Sequence, residues 1–101
     1  SSLEKQCVII LSALVVAPIL EEFIFRKFLY KALKFNFGIL LAALISSIVF
    51  ALIHFTVSSF FVLLVLGLFL CYCYEKYGSL AAPVISHAFF NLLMIFSILT
   101  G

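Results

Sequence analysis

Long apolar runs restrict what this chain can fold into more than any other feature of its sequence. A first segment covers about residues 7–34 and ends in charged residues, and three further runs cover residues 38–57, 58–74 and 80–99. The last three are each close to the roughly 20 residues that an α-helix needs to cross a bilayer. A membrane-spanning β-barrel needs alternating polarity, and these runs are continuously apolar. The sequence therefore predicts an all-α, polytopic membrane bundle of about four transmembrane helices.

The composition agrees with lipid as the surrounding solvent. Hydrophobic residues make up 67% of the 101 residues and charged residues 10%, whereas a soluble domain carries about 25% charged residues. The net charge of +2 does not indicate a nucleic-acid partner. No repeat or linker divides the chain, so we interpret residues 1–101 as one domain. Since the sequence begins with Ser1 and shows no signal peptide, we expect it to belong to a longer membrane protein.

The three cysteines, Cys7, Cys71 and Cys73, lie in apolar surroundings. An odd number in such a context does not favour a disulfide framework. The close spacing of Cys71 and Cys73 is by itself a weak indication of a soft-metal site. We expect all three to be small buried side chains.

Basic residues indicate the orientation in the membrane. Lys27, Lys31, Lys34 and Lys76 fall at one end of a four-helix path, and Lys5 falls alone at the other. Cytoplasmic loops of membrane proteins carry an excess of lysine and arginine. We therefore expect the end with the larger basic group to be cytoplasmic and both ends of the chain to be non-cytoplasmic.

Six polar residues lie inside the apolar segments, where an ionised side chain costs about 2.5–3.5 kcal/mol even on lenient insertion scales. They are Glu21, Glu22, Arg26, His54, His87 and Asn91. Residues four apart on a helix share a face, so Glu22 and Arg26 are expected to form an ion pair. His87 and Asn91 share a face of the fourth helix for the same reason. Glu21 points away from Arg26 and has no obvious partner on its own helix.

These residue types suggest a division of chemical roles. An unpaired Glu21 would suit a general base, and a nearby histidine could orient the water that it activates. His87 and Asn91 would offer two N–H donors to a developing oxyanion. The alternative for His54 or Asn91 taken alone is a helix-to-helix hydrogen bond. Two acids, two histidines and an amide spread over three helices favour a hydrolytic site.

Each proline precedes a candidate residue by four positions. Pro18 lies inside an apolar run before Glu22, which predicts a break in the helix. Pro83, which precedes His87, more simply begins the fourth helix. The two histidines are predicted to lie at different depths in the membrane. Counted from the cytoplasmic ends, His54 would lie roughly 24 Å along its helix and His87 about 10 Å along its own. A fourth helix that begins below the membrane surface, or one that tilts, would reduce this difference.

Three short motifs follow one another along the chain. They are Glu21-Glu22-Phe-Ile-Phe-Arg26, Phe50-Ala-Leu-Ile-His54 and His87-Ala-Phe-Phe-Asn91. Their order and spacing resemble the CPBP family of CAAX-processing and bacteriocin-processing (Abi) peptidases, and residues 76–83 resemble the loop before the last core helix of that family. Lys27 and Ala51 stand where the family frequently has glycine, and neither change removes a chemical group.

The resemblance implies an intramembrane endopeptidase. Glu21 and His54 would activate a water for attack on a peptide bond, and His87 and Asn91 would stabilise the oxyanion. The implied partners are membrane lipid and a membrane-associated peptide or lipidated protein, such as a CAAX-type C-terminal tail or a bacteriocin-like peptide. The family usually has further helices upstream.

The resemblance gives Glu22 and Arg26 a supporting role and requires no cofactor. Family members have also been labelled metalloproteases, and two histidines with a carboxylate can ligate zinc. The ligands would then be Glu22, His54 and His87. Because the compact HExxH zinc pattern is absent from the sequence, we prefer a metal-free glutamate mechanism and keep the zinc peptidase as the lesser alternative.

Two other classes of function compete with the peptidase. A non-enzymatic member of the same fold, such as a bacteriocin immunity factor or a membrane scaffold, has no need of five costly polar groups. A proton- or ion-coupled transporter also uses buried glutamate and histidine, but it favours polar groups spread along a pathway and repeat symmetry. The clustering of the polar residues in three motifs favours the peptidase over both.

Overall fold

A computed structural model of the chain describes residues 1–54 and 59–101 and contains only helices, turns and bends among them. The helical elements are α1 (Ser2–Leu11), a first π-helical segment (Ser12–Val16), α2 (Ala17–Glu22), a second π-helical segment (Phe23–Tyr30), α3 (Lys31–Phe37), α4 (Ile39–Leu52), α5 (Phe60–Tyr77) and α6 (Ala81–Thr100). The elements from α1 to α3 form one continuous helix of 36 residues, called helix 1 below. Helix 1, α5 and α6 are each long and apolar enough to cross a membrane, and α4 is a shorter apolar helix. The predicted all-α membrane bundle is confirmed.

Helix 1 begins before and ends after the predicted segment 7–34. Ser1 caps its start, since the Ser1 hydroxyl accepts from the backbone N–H of Glu4 at 3.2 Å. The helix ends at Gly38, whose φ of 86° lies in the left-handed region that favours glycine. Pro18 lies in the α-helical stretch between the two π-helical segments, so the predicted break takes the form of a change in backbone hydrogen bonding.

The second helix is shorter than predicted. α4 has 14 residues instead of the full span 38–57, and His54 lies in a turn beyond its end rather than on the helix. The His54 side chain explains this end, because its Nδ1 lies 2.6 Å from the carbonyl oxygen of Phe50. In a continuing α-helix that carbonyl would accept from the backbone N–H of His54. The N–H instead bonds to the carbonyl of Ala51 at 3.4 Å.

The third and fourth helices lie close to their predicted limits of 58–74 and 80–99. The boundary between the predicted segments 38–57 and 58–74 lies outside the described residues. Gly78 makes the turn between α5 and α6 with a left-handed φ of 66°. Pro83 lies in the first turn of α6, where a missing N–H removes no helical hydrogen bond, so the simpler prediction for this proline is correct.

Apolar packing joins helix 1, α4 and α5. One buried cluster consists of Phe25, Phe50, Leu66 and Leu70. A Cβ atom on Gly67 would lie 3.0 Å from the Cβ of Ser47, so the glycine allows α5 to approach α4 closely. This close approach brings the backbone of α5 next to the polar residues of helix 1.

A polar junction lies at the end of the bundle that carries most of the lysines, and it allows the depths at which the helices begin to be compared. Lys34 Nζ lies 2.5 Å from Glu75 Oε1, and the Tyr30 hydroxyl donates to the other oxygen of that carboxylate at 2.9 Å. Glu22, which contacts His87, is twelve residues before Lys34, while His87 is six residues after the start of α6. The first separation is the longer of the two, although part of it lies in the second π-helical segment. α6 therefore begins deeper in the bundle than the junction, which reduces the predicted height difference between the histidines.

The outward faces of the helices are apolar. Large apolar side chains are exposed along all of them, with Phe35 and Leu40 at 91% and 85%. Such a surface requires lipid around it, in agreement with a membrane protein. Cys71 and Cys73 are buried, as predicted, but the prediction for Cys7 is wrong, because it lies exposed on α1, which has no buried residue.

Candidate active site

Glu22 and Arg26 form the ion pair that their spacing predicts. Arg26 Nε lies 3.1 Å from Glu22 Oε1, and both side chains are completely buried. The contact is an ion pair without hydrogen-bond geometry. Arg26 Nη2 also donates to the carbonyl of Gly67 at 3.4 Å, and the guanidinium carbon lies 5.3 Å from the centre of the Phe50 ring. A buried charge needs such partners, because an unpaired one is strongly destabilising.

Glu22 has a second partner that the sequence did not reveal. Its Oε2 lies 2.6 Å from Nδ1 of His87, which is itself buried. The two residues are 65 positions apart and on different helices, so no periodicity within one helix could predict this contact. Arg26, Glu22 and His87 thus form a continuous buried chain from the second π-helical segment to α6.

His54 is held by the end of its own helix. The 2.6 Å contact between Nδ1 and the carbonyl of Phe50 orients the imidazole, whose side chain is 32% exposed. A carbonyl oxygen only accepts, so Nδ1 carries the hydrogen and donates it. The opposite nitrogen, Nε2, therefore faces away from the α4 backbone.

Glu21 lies between the two histidines. Its Oε1 is 3.7 Å from His54 Nε2 and 3.7 Å from His87 Nε2. This oxygen is buried and has no hydrogen-bond partner among residues 1–54 and 59–101, although the side chain as a whole is 30% exposed. The structure therefore brings Glu21, His54 and His87 to one point, with the carboxylate open to a further hydrogen bond.

The hydrogen bonds assign what each histidine presents to Glu21. Nδ1 of His54 donates to a carbonyl and Nδ1 of His87 donates to the carboxylate of Glu22. Each ring therefore turns Nε2 towards Glu21, as an acceptor when neutral and as a donor when protonated. A gap of 3.7 Å is too long for a direct hydrogen bond, so neither Nε2 is bonded to Glu21 in this arrangement.

Asn91 is engaged with helix 1 rather than with the histidines. Its Nδ2 donates to the backbone carbonyl of Ala13 at 2.9 Å. An amide nitrogen carries two hydrogens, so this bond uses one of them. The contact agrees with the helix-to-helix alternative for Asn91 and leaves a second N–H for other chemistry.

Phe50 is the apolar centre of the site, a place that the sequence did not indicate. Its ring centre lies 4.8 Å from that of His54 and 5.8 Å from that of His87. It also packs edge-to-face on Phe25 at 5.4 Å and beneath the Arg26 guanidinium. One fully buried ring thus contacts both histidines and the Arg26 guanidinium.

The zinc alternative proposed Glu22, His54 and His87 as ligands. Within the described part of the chain, no group of three or more His, Cys, Asp or Glu side chains could hold a metal ion. One carboxylate oxygen of Glu22 contacts Arg26 and the other contacts His87 Nδ1. Neither oxygen therefore faces a position at which His54 could ligate the same metal ion. The proposed ligand set does not fit a zinc ion in this arrangement.

Comparisons with known proteins agree with the family suggested by the three motifs. A sequence profile of the family described as type II CAAX prenyl endopeptidase Rce1-like matches residues 3–93. The "Putative membrane peptidase YdiL" of Bacillus subtilis (strain 168) is 30% identical over 81 residues, which are 80% of this chain and 33% of that protein. The chain thus spans about a third of the length of the curated relative that it matches. No solved structure matches it. Since the matched residues include all the candidate site residues, the chain belongs to the Rce1-like family of type II CAAX prenyl endopeptidases.

Proposed function

We propose that this chain forms the catalytic centre of an intramembrane endopeptidase that hydrolyses a peptide bond with a water activated by Glu21 and His54. The observation that carries the proposal is the position of Glu21 Oε1, buried and 3.7 Å from Nε2 of both His54 and His87. Three titratable groups from three different parts of the chain turn their reactive atoms to one point. Membership of a family of membrane endopeptidases supports the same function.

Glu21 acts as the general base in this proposal. A water between Glu21 and His54 donates one proton to the Glu21 carboxylate while its oxygen bonds to the substrate carbonyl carbon. The neutral His54 accepts the second hydrogen of the water at Nε2 and so orients it. Collapse of the tetrahedral intermediate breaks the C–N bond, and the proton held by Glu21 passes to the leaving amine nitrogen. No covalent intermediate with the enzyme forms.

His87 stabilises the negative charge that develops on the carbonyl oxygen. As an imidazolium it donates Nδ1–H to Glu22 and offers Nε2–H to the oxyanion. The charges then balance, since Glu21 and Glu22 oppose Arg26 and His87. Asn91, one turn further along α6, contributes to the oxyanion through the amide hydrogen that Ala13 does not use.

The substrate in this proposal is a membrane-associated peptide, either a prenylated CAAX-type tail or a bacteriocin-like peptide. The family description names CAAX prenyl endopeptidases, and the apolar exterior of the helices supports a substrate that is delivered in the membrane. The end that carries Lys27, Lys31, Lys34 and Lys76 is cytoplasmic in the same proposal. The reaction uses no metal ion and no other cofactor.

Proteolysis by the full-length protein in liposomes tests the function. A farnesylated CAAX peptide and an unprenylated membrane peptide are incubated with the wild type, with Glu21→Gln and with Glu4→Gln, each with and without a zinc chelator. Glu4 lies exposed at the start of helix 1, so its variant controls for the loss of a carboxylate elsewhere. We expect cleavage by the wild type and by Glu4→Gln, no cleavage by Glu21→Gln, and no effect of the chelator.

Other results of this experiment contradict parts of the proposal. Cleavage by Glu21→Gln at the wild-type rate would exclude Glu21 as the base. Activity lost on chelation and restored by zinc would make His54 and His87 candidate metal ligands after a rearrangement of Glu22. A wild type that is folded and cleaves neither peptide would favour the scaffold or immunity-factor alternative.

A further inference from the structure

The hydrogen bonding of helix 1 changes where Pro18 interrupts it. In the first π-helical segment the backbone N–H of Ala17 donates to the carbonyl of Ser12, five residues back. The next bond of that series would run from residue 18 to Ala13. Pro18 has no N–H and cannot make it. The carbonyl of Ala13 is therefore left without this backbone donor.

The Asn91 side chain reaches this same carbonyl. Its Nδ2 donates to the oxygen of Ala13 at 2.9 Å, across 78 positions of sequence. Pro18 is buried, and Asn91 is partly buried, so water does not freely replace this bond. A partly buried carbonyl without a donor is costly, so a side-chain donor at this position stabilises the fold.

We infer that Asn91 replaces the N–H that Pro18 lacks, and that this bond fixes helix 1 against α6 between two and three turns before Glu21 and Glu22. Glu21 follows Pro18 by three residues, and Glu22 follows it by four. His87 precedes Asn91 by four residues on α6. The Asn91–Ala13 bond and the Glu22–His87 bond are thus two contacts between the same two helices, one beside the proline and one at the site. Asn91 is a positioning residue for the two carboxylates, in addition to any contact with the oxyanion.

This inference rests on the proposed function only for its effect on catalysis. The replacement of the missing N–H is a statement about the fold and has a test that needs no substrate. If Asn91 donates to the Ala13 carbonyl in place of residue 18, replacing Asn91 should lower stability when residue 18 is proline. The same replacement should have little effect when residue 18 can donate its own N–H. An oxyanion contact, by contrast, has no reason to depend on residue 18.

A double-mutant cycle separates these cases. The full-length protein is prepared in detergent as the wild type, Asn91→Leu, Pro18→Ala and the double variant, and the thermal midpoint of each is measured. Leucine has nearly the shape of asparagine and no donor. We expect Asn91→Leu to lower the midpoint by about 3 °C with Pro18 present and by less than about 1 °C beside Pro18→Ala. Where the proteins cleave peptide, the loss of kcat should also be at least several-fold smaller in the Pro18→Ala background.

Asn36 provides a matched control. Its Nδ2 donates to the carbonyl of Ala32 at 3.0 Å on the exposed surface of α3, with no proline five residues after that carbonyl. Asn36→Leu should therefore have the same small effect with Pro18 and with Pro18→Ala. Equal midpoint losses for Asn91→Leu in both backgrounds would overturn the inference and leave the peptidase proposal intact. A coupled midpoint with an uncoupled loss of kcat would show that Asn91 does not act through the carboxylates, and would overturn its positioning role.

Discussion

Glu22 Oε2 lies 2.6 Å from His87 Nδ1, and this contact joins helix 1 to α6. The other oxygen of the same carboxylate lies 3.1 Å from Arg26 Nε. A single buried carboxylate therefore has two basic partners, one on its own helix and one on another. Any change in its charge alters both the orientation of His87 and the environment of Arg26.

Glu22→Gln should abolish most activity without removing a group that touches the substrate. Glutamine keeps the size of the side chain but loses the negative charge that holds the His87 ring. We expect kcat to fall about 10²–10⁴-fold, the range for loss of a positioned acid–base group, with a smaller change in KM. Steady-state proteolysis measures both constants. A kcat equal to that of the exposed control Glu4→Gln would exclude a role for the Glu22–His87 contact.

Arg26→Met should destabilise the bundle through the charge that it leaves behind. Methionine fills much of the arginine volume, but the buried Glu22 carboxylate loses its cationic partner, at a cost of about 3–5 kcal/mol. The double variant Glu22→Gln with Arg26→Met should recover much of this stability and remain inactive. Reversible unfolding in mixed detergent micelles measures the free energy of unfolding.

The neighbouring Lys27 supplies the control for the arginine substitution. It is exposed and lies 5.5 Å from the ring of Phe23, so Lys27→Met should change the free energy of unfolding little. If the double variant at positions 22 and 26 is no more stable than Arg26→Met alone, packing rather than charge accounts for the loss.

Two substitutions of His54 should separate its catalytic and structural contributions. Asparagine keeps an N–H that can reach the carbonyl of Phe50 but has no atom in the place of Nε2, whereas alanine loses both. We expect both variants to lose activity about 10²–10⁴-fold and only His54→Ala to lower the thermal midpoint. Activity retained by His54→Asn would contradict the role of Nε2 in orienting water.

Gly67→Ala should disturb the packing between α4 and α5. The added methyl group would lie 3.0 Å from the Cβ and Oγ of Ser47, and overpacking of this kind costs about 1–3 kcal/mol. Ser47→Gly should relieve a large part of that cost. Gly78→Ala is the control: its Cβ meets nothing within 4 Å, and its cost of about 1–2 kcal/mol comes from the positive φ, so Ser47→Gly should not relieve it. Chemical unfolding of the wild type, the three single variants and the two double variants provides the comparison.

The spacing of residues along a single helix predicted those features of the site that involve only residues of that helix. The four-residue separation of Glu22 and Arg26 indicated their ion pair. The apolar runs indicated the approximate limits of α5 and α6. The three family motifs identified the candidate site residues. The catalytic roles of those residues remain predictions.

Contacts between helices could not be read from the same pattern. The bond from Glu22 to His87 and the bond from Asn91 to Ala13 join residues far apart in sequence, and each depends on the rotation and depth of α6. The position of His54 was wrong because its side chain competes with its own backbone for one carbonyl. Such a competition depends on the rotamer, which the order of residues does not reveal.

The placement of Arg26 one turn after Glu22 has a consequence for the biogenesis of the protein. The ribosome makes helix 1 well before α6, so Glu22 must enter the bilayer while His87 does not yet exist. Arg26 is on the same helix and neutralises that carboxylate from the outset, which lowers the cost of inserting helix 1 on its own. The contact with His87 can form only after α6 has also been inserted, so the arrangement of the candidate site is not complete until then.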